Sequence, residues 1–133
     1  MERTWKPTAG GVLSIISGVL EIIIGVAIIF WGSLMAILGE SLPYLSDIWP
    51  ELGDLAILTP GEFGMITATA LIVGIVILVF GIIALVGGIH SIKRKRWGLA
   101  LAGAILSFPF LPLGGILGLL AVIFISLGKG EFE

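Results

Sequence analysis

The chain has 133 residues, room for one compact domain, with 58% apolar and only 12% charged residues. A soluble domain carries about 25% charged residues, so a water-soluble fold of this length could not hide so much apolar surface, and the mean hydropathy of +1.21 points to several membrane spans. The net charge of −2 is too small to imply a charged partner, and the absence of cysteine excludes disulfide, iron–sulfur and thiolate–zinc chemistry.

Arg3, Trp5 and Lys6 precede the first apolar run, and Pro7-Thr8 mark its start, with Thr8 able to cap a helix. The run far exceeds the roughly 7–15 residues of a signal-peptide core, and no small-x-small cleavage site closes it, so it reads as a retained first span over about residues 9–38. Glycine recurs every seven residues in it, at Gly11, Gly18, Gly25, Gly32 and Gly39. Seven residues return to nearly the same helix face, drifting about 20° per heptad, so the glycines form one slowly winding groove where a second helix can approach closely. Glu21 falls in that sector and is the one ionisable side chain placed in the hydrocarbon core.

Residues 40–59 contain acids and no Lys or Arg. Leu45, Ile48, Trp49, Leu52 and Leu55 recur at helical spacing opposite Asp47, Glu51 and Asp54, which predicts a short amphipathic helix on the membrane surface over 41–58, capped by Ser46 and with Pro50 in its first turn. Thr59-Pro60-Gly61-Glu62 is a capping box that opens a second span over about 60–91. That span repeats the glycine device at Gly74, Gly81 and Gly88. GVLEIIIGVAIIFWG and GIVILVFGIIALVGG share glycine at three corresponding places, either as an internal repeat or as two solutions to one packing problem. After the cluster Lys93-Arg94-Lys95-Arg96 come two shorter apolar helices, about 97–108 and 113–127, separated by Phe108-Pro109-Phe110-Leu111-Pro112, the second with Gly114, Gly118 and Ala121 on a small-residue face. They read as two spans or as a re-entrant hairpin.

With four spans all seven basic residues (Arg3, Lys6, Lys93, Arg94, Lys95, Arg96 and Lys129) fall on one side, and Glu40, Asp47, Glu51, Asp54 and Glu62 on the other. The excess of Lys and Arg in cytoplasmic loops then puts both termini and the 93–96 loop in the cytoplasm.

Little in the chain can do chemistry. There is no HExxH, no GxxxxGK and no Ser–His–Asp arrangement, so no enzyme, cofactor or metal is expected. His90 has no partners spaced for zinc and suits a helix C-terminus. Asp47, Glu51 and Asp54 read as a solvated face rather than a cation site, and Tyr44 and Trp49 as interface aromatics. Lys93, Arg94, Lys95 and Arg96 can meet anionic lipid headgroups, whereas four charges in one tight turn make no nucleic-acid surface. Glu21 reads either as a protonated acid hydrogen-bonded to Ser14, Ser17, Thr67, Thr69 or a backbone carbonyl, or as a proton or ion site.

KPTAGGVLSIISGVLEIIIG at the start and KRWGLALAGAIL with LGGILGLLAVIFISLGKGEF at the end resemble a broad group of small prokaryotic four-span membrane proteins of unknown function, over about two-thirds of the chain. The resemblance implies four helices in a plasma membrane with both termini inside, and no functional residue. Small multidrug transporters are also four-span proteins with a glutamate in the first helix, here in LEIIIGVA. The threonine and the downstream lysine of that family are missing, and the long acidic loop is foreign to it.

The expectation is an all-α integral membrane protein: a four-transmembrane-helix bundle with cytoplasmic termini and a short amphipathic helix in the external loop. Its glycine rows at Gly11, Gly18, Gly25, Gly32, Gly74, Gly81, Gly88, Gly114 and Gly118 exceed what one intrachain contact requires. A structural or accessory role in a homo-oligomer or larger membrane complex follows, with a proton-coupled exporter using Glu21 as the alternative.

Overall fold

The computed structural model describes residues 4–55, 59–106 and 112–132. The chain is all-α: α1 (Lys6–Ile48), α2 (Pro50–Leu55), α3 (Pro60–Ile92), α4 (Trp97–Leu106) and α5 (Pro112–Leu127), then one 3-10 turn at Lys129–Glu131, with no strand among the described residues. By length and composition α1 and α3 are long and apolar enough to cross a membrane. The 10 residues of α4 and the 16 of α5 measure about 15 and 24 Å, less than a hydrocarbon core about 30 Å thick. Two full-length helices and two shorter apolar ones thus stand where the sequence suggested four spans. The turn Phe108-Pro109-Phe110-Leu111, Arg3, and the packing of Gly114, Asp54, Leu52 and Leu55 lie outside the described residues.

The first helix does not stop near Leu38. It runs on through Pro43 to Ile48, so the separate surface helix expected over 41–58 is instead the last turns of α1 followed by the six-residue α2. Pro43 removes one backbone donor, a loss confined to the Gly39 carbonyl. On either side the Ser41 and Ser46 hydroxyls donate to the Ile37 and Pro43 carbonyls at 2.7 and 2.9 Å, and the backbone bonding runs on to the Trp49 amide, which donates to the Leu45 carbonyl at 2.8 Å. Pro50 is the first residue of α2, where no N–H is needed.

The capping box forms. The Thr59 amide and hydroxyl donate to the Glu62 carboxylate at 2.6 and 2.8 Å, and the Glu62 amide donates back to the Thr59 hydroxyl at 3.4 Å. α3 closes on a Schellman turn in which the Arg94 amide donates to the Ser91 carbonyl at 3.1 Å and the Lys95 amide to the His90 carbonyl at 3.0 Å. Arg94 occupies the left-handed position of that turn, φ 52°, which glycine usually fills.

The chain divides into two compact units, Met1–Ile24 with Ile77–Glu133, and Gly25–Val76. In the first, α1 and α3 touch backbone to backbone. A Cβ on Gly18 would stand 2.7 Å from the Gly81 carbonyl oxygen, and one on Gly88 2.7 Å from that of Gly11. Two buried hydroxyls stitch the pair, Ser14 to the Ala84 carbonyl at 2.9 Å and Ser91 to the Pro7 carbonyl at 2.8 Å. α4 meets α3 where a Cβ on Gly87 would be 2.8 Å from the Gly103 Cα, and α5 meets α1 where a Cβ on Gly10 would be 2.8 Å from the Ile125 side chain. Helices this close leave room only for small side chains, and the core is Ala100, Ala104, Ala121 and Ile125; Gly118 is buried with them.

In the second unit the seam between α1 and α3 continues. Gly74 lies against the Gly25 carbonyl and Ile29, Gly32 against Ala70, and Gly39 against Phe63. The length of the glycine rows, which suggested a seam left over for another chain, is therefore taken up by this chain's own helices.

Candidate functional site: the buried polar face of α1

Ser14, Ser17 and Glu21 follow one another at spacings of three and four residues, so they share one face of α1. All three are buried, Glu21 to 2% exposure. Ser14 is satisfied by the Ala84 carbonyl. Ser17 Oγ and Glu21 Oε2 have no hydrogen-bond partner among the described residues. A buried polar group without a partner costs about 1–3 kcal/mol, and a charged carboxylate at the middle of a membrane about 2.5–3.5 kcal/mol on the insertion scale. The hydrogen bond to Ser or Thr expected of Glu21 is thus absent at Oε2. Of its suggested partners on the second span, Thr67 and Thr69 belong to the other unit, and the Thr67 hydroxyl is itself unpartnered.

Glu21 lies 15 residues along α1 from Lys6, about 22 Å by helical rise. A lone carboxyl beside a hydroxyl can hold one positive charge but lacks the ligands for a divalent cation. Among the described residues no group of three His, Cys, Asp or Glu side chains could hold a metal ion. His90 lies with Nδ1 2.9 Å from the Val86 carbonyl of its own helix.

The basic loop is not four equivalent charges. Arg94 is spent inside the chain: Nη1 pairs with Glu131 Oε2 at 2.8 Å, and Nη2 donates to the Thr4 carbonyl at 2.8 Å. The Thr4 amide donates to Glu131 Oε2 at 3.1 Å and the Thr4 hydroxyl donates to Oε1. Thr4, Arg94 and Glu131 form a clamp that gathers the N-terminal end, the α3–α4 turn and the C-terminal end. Arg96 also has a left-handed backbone, φ 49°, and each such residue costs about 1–2 kcal/mol. Lys129 stacks over the Trp97 ring at 4.7 Å, and Trp5 meets Phe124 with ring centroids 5.4 Å apart. That leaves Lys93, Lys95 and Arg96 exposed. Nothing in the linear pattern marked Glu131, because its partner Thr4 lies 127 positions away.

The Glu131 carboxyl is held below its usual value of 4.5, chiefly by the Thr4 hydroxyl, with the Thr4 amide and the Arg94 and Lys6 charges helping against burial. A depressed carboxylate contributes stability that is present above its unfolded pKa and lost as pH falls through its folded one. The clamp is therefore expected to hold at neutral pH and to open only in acid below about pH 4.5. The Thr4 amide resonance followed over an acid titration checks this: a shift centred near neutrality would contradict it.

In the second unit a cleft of about 700 Å³ runs between α1 and α3, lined by Glu40, Tyr44, Phe63 and Thr67 among others.

No protein-family model, no curated protein and no solved structure matches this chain.

Proposed function

We propose that the chain is a small, non-enzymatic integral membrane protein of four helices, a structural or accessory subunit of a homo-oligomer or a larger complex in a prokaryotic plasma membrane. The observation that supports this most is the outer surface of the second unit. There large apolar side chains stand out from α1 and α3, among them Phe30 at 70% exposure, Met65 at 73% and Ile72 at 65%. Lipid tails and apolar partner helices suit such a surface and water does not. Because Gly32, Gly39 and Gly74 are engaged between α1 and α3, a partner helix would meet these large side chains rather than the glycine seam. The cations Lys6, Arg94 and Lys129 gather near the chain ends and the α3–α4 turn of the first unit, which supports cytoplasmic termini. α4 and α5 would then cross with local thinning of the bilayer or turn back as a re-entrant hairpin. Lys93, Lys95 and Arg96 would meet anionic headgroups.

The chain has no native cysteine, so a single cysteine at Ile72 or Met65 gives a clean cross-linking probe in native membranes. Adducts of one defined larger mass are expected. A chain that stays monomeric at both positions contradicts the reading.

A second reading, a proton-coupled exporter, is favoured by the unpartnered Glu21 oxygen. Under it Glu21→Gln abolishes protection of a sensitive host against toxic organic cations; equal growth of wild type and variant ends it.

A further inference from the structure

We infer that Ser17 and Glu21 form a buried binding site for a single monovalent cation, either a proton or a sodium ion, on the inward face of α1. Both side chains are buried and both carry an oxygen without a hydrogen-bond partner among the described residues. They lie one helical turn apart on one face, close enough for a carboxylate and a hydroxyl to share one ligand. Ser14, the next buried polar residue toward Lys6, donates to the Ala84 carbonyl and so is not part of the unmet demand.

Charge balance selects the ligand. A carboxylate in an apolar interior is stabilised by one opposite charge and made worse by an excess of either sign. One carboxylate and one monovalent cation are neutral together. A divalent ion would leave a net positive charge and would need carboxylates that are not there. Both donors are hard oxygens, which suit a proton or an alkali cation and not a soft metal.

Among the described residues of this unit no other ionisable group lies near Glu21 along the helices packed with α1. α4 and α5 carry no titratable side chain, and within this unit α3 carries only His90, in its last turn. On α1 the nearest ionisable residue toward the N-terminus is Lys6, about 22 Å away along the helix. The site binds its cation whether or not anything is transported, so it stands apart from the exporter reading and fails on a different measurement.

The test is labelling by an apolar carbodiimide, which attacks a protonated carboxyl, on the full chain in lipid vesicles, read by intact mass against Glu21→Gln as background. The labelling rate at Glu21 is expected to rise about tenfold per unit fall in pH while the carboxylate form dominates. If the ion is sodium, replacing choline by sodium at one pH slows the labelling, and Ser17→Ala weakens that protection while leaving the pH dependence in place. If the ion is the proton, sodium and choline give equal rates and only pH matters. Labelling at Glu21 that ignores both pH and sodium, or no adduct at Glu21 at any pH, overturns the assignment. Glu21→Gln keeps the shape and removes the charge, so its folding is not at risk.

Discussion

Replacing Gly18 with leucine is expected to unfold or severely loosen the chain, at a cost of about 3 kcal/mol or more. Even the first added carbon is excluded: it would stand 2.7 Å from the Gly81 carbonyl oxygen and 2.8 Å from the Leu85 amide nitrogen. Both obstacles are backbone, which cannot rotate aside as a side-chain tip can, so α1 and α3 must part. Parting them also strains the bond from the Ser14 hydroxyl to the Ala84 carbonyl one turn away. The internal control is Gly98→Ala, where nothing lies within 4 Å of the new carbon. That change is neutral, or stabilising by up to about 1 kcal/mol, through helix propensity alone. Thermal unfolding of both variants in one detergent, followed by helical circular dichroism, checks the contrast. Equal midpoints for Gly18→Leu and wild type would show that the close approach of the two helices is wrong.

Replacing Glu21 with methionine is expected to act in the opposite direction and raise stability by about 2 kcal/mol. Methionine has a similar length, fills the same buried volume and carries no group that needs a partner. The gain is the removal of an unsatisfied buried polar atom and of the cost of a carboxyl deep in an apolar setting. A residue whose removal stabilises the fold is held there for some reason other than the fold, which is the logic by which strained or costly groups point to function. A lower melting midpoint for Glu21→Met, measured without sodium so that no bound ion adds to the wild type, would mean that the carboxyl makes stabilising bonds, and would return it to the role of polar glue between helices.

These two expectations depend on the sequence to different degrees. The helices themselves were legible. The apolar runs, the heptad glycines and the Thr59–Glu62 capping box are local signals, and the capping box forms with the bonds its spacing requires. The end of α1 was not legible. Pro43 and the acids after Leu38 look like a break, yet a helix already under way tolerates the loss of one donor, and α1 continues through Pro43 to Ile48. The surplus of glycine did not name its partner. A row of small residues states that something comes close, not which helix does, and here both halves of α1 meet α3 of the same chain.

The candidate site divides in the same way. That Glu21 is an ionisable residue within an apolar stretch can be read from its neighbours alone. Whether a partner waits for it depends on what the other helices bring to that face, and none of the described residues reaches its Oε2. The Thr4–Arg94–Glu131 clamp lay wholly beyond linear reading, since chain ends 127 positions apart meet only after the helices have packed.

By itself the sequence determined the helical class, the apolar character, the two long helices and the gathering of positive charge near the termini and one turn, because each of these follows from periodicity and composition over neighbouring residues. Packing alone settled which helices the glycines join, which of the four basic side chains in the α3–α4 turn is already engaged, and that Glu21 Oε2 and Ser17 Oγ have no hydrogen-bond partner among the described residues. Those properties belong to pairs of groups far apart along the chain, and no local pattern encodes the distance between them.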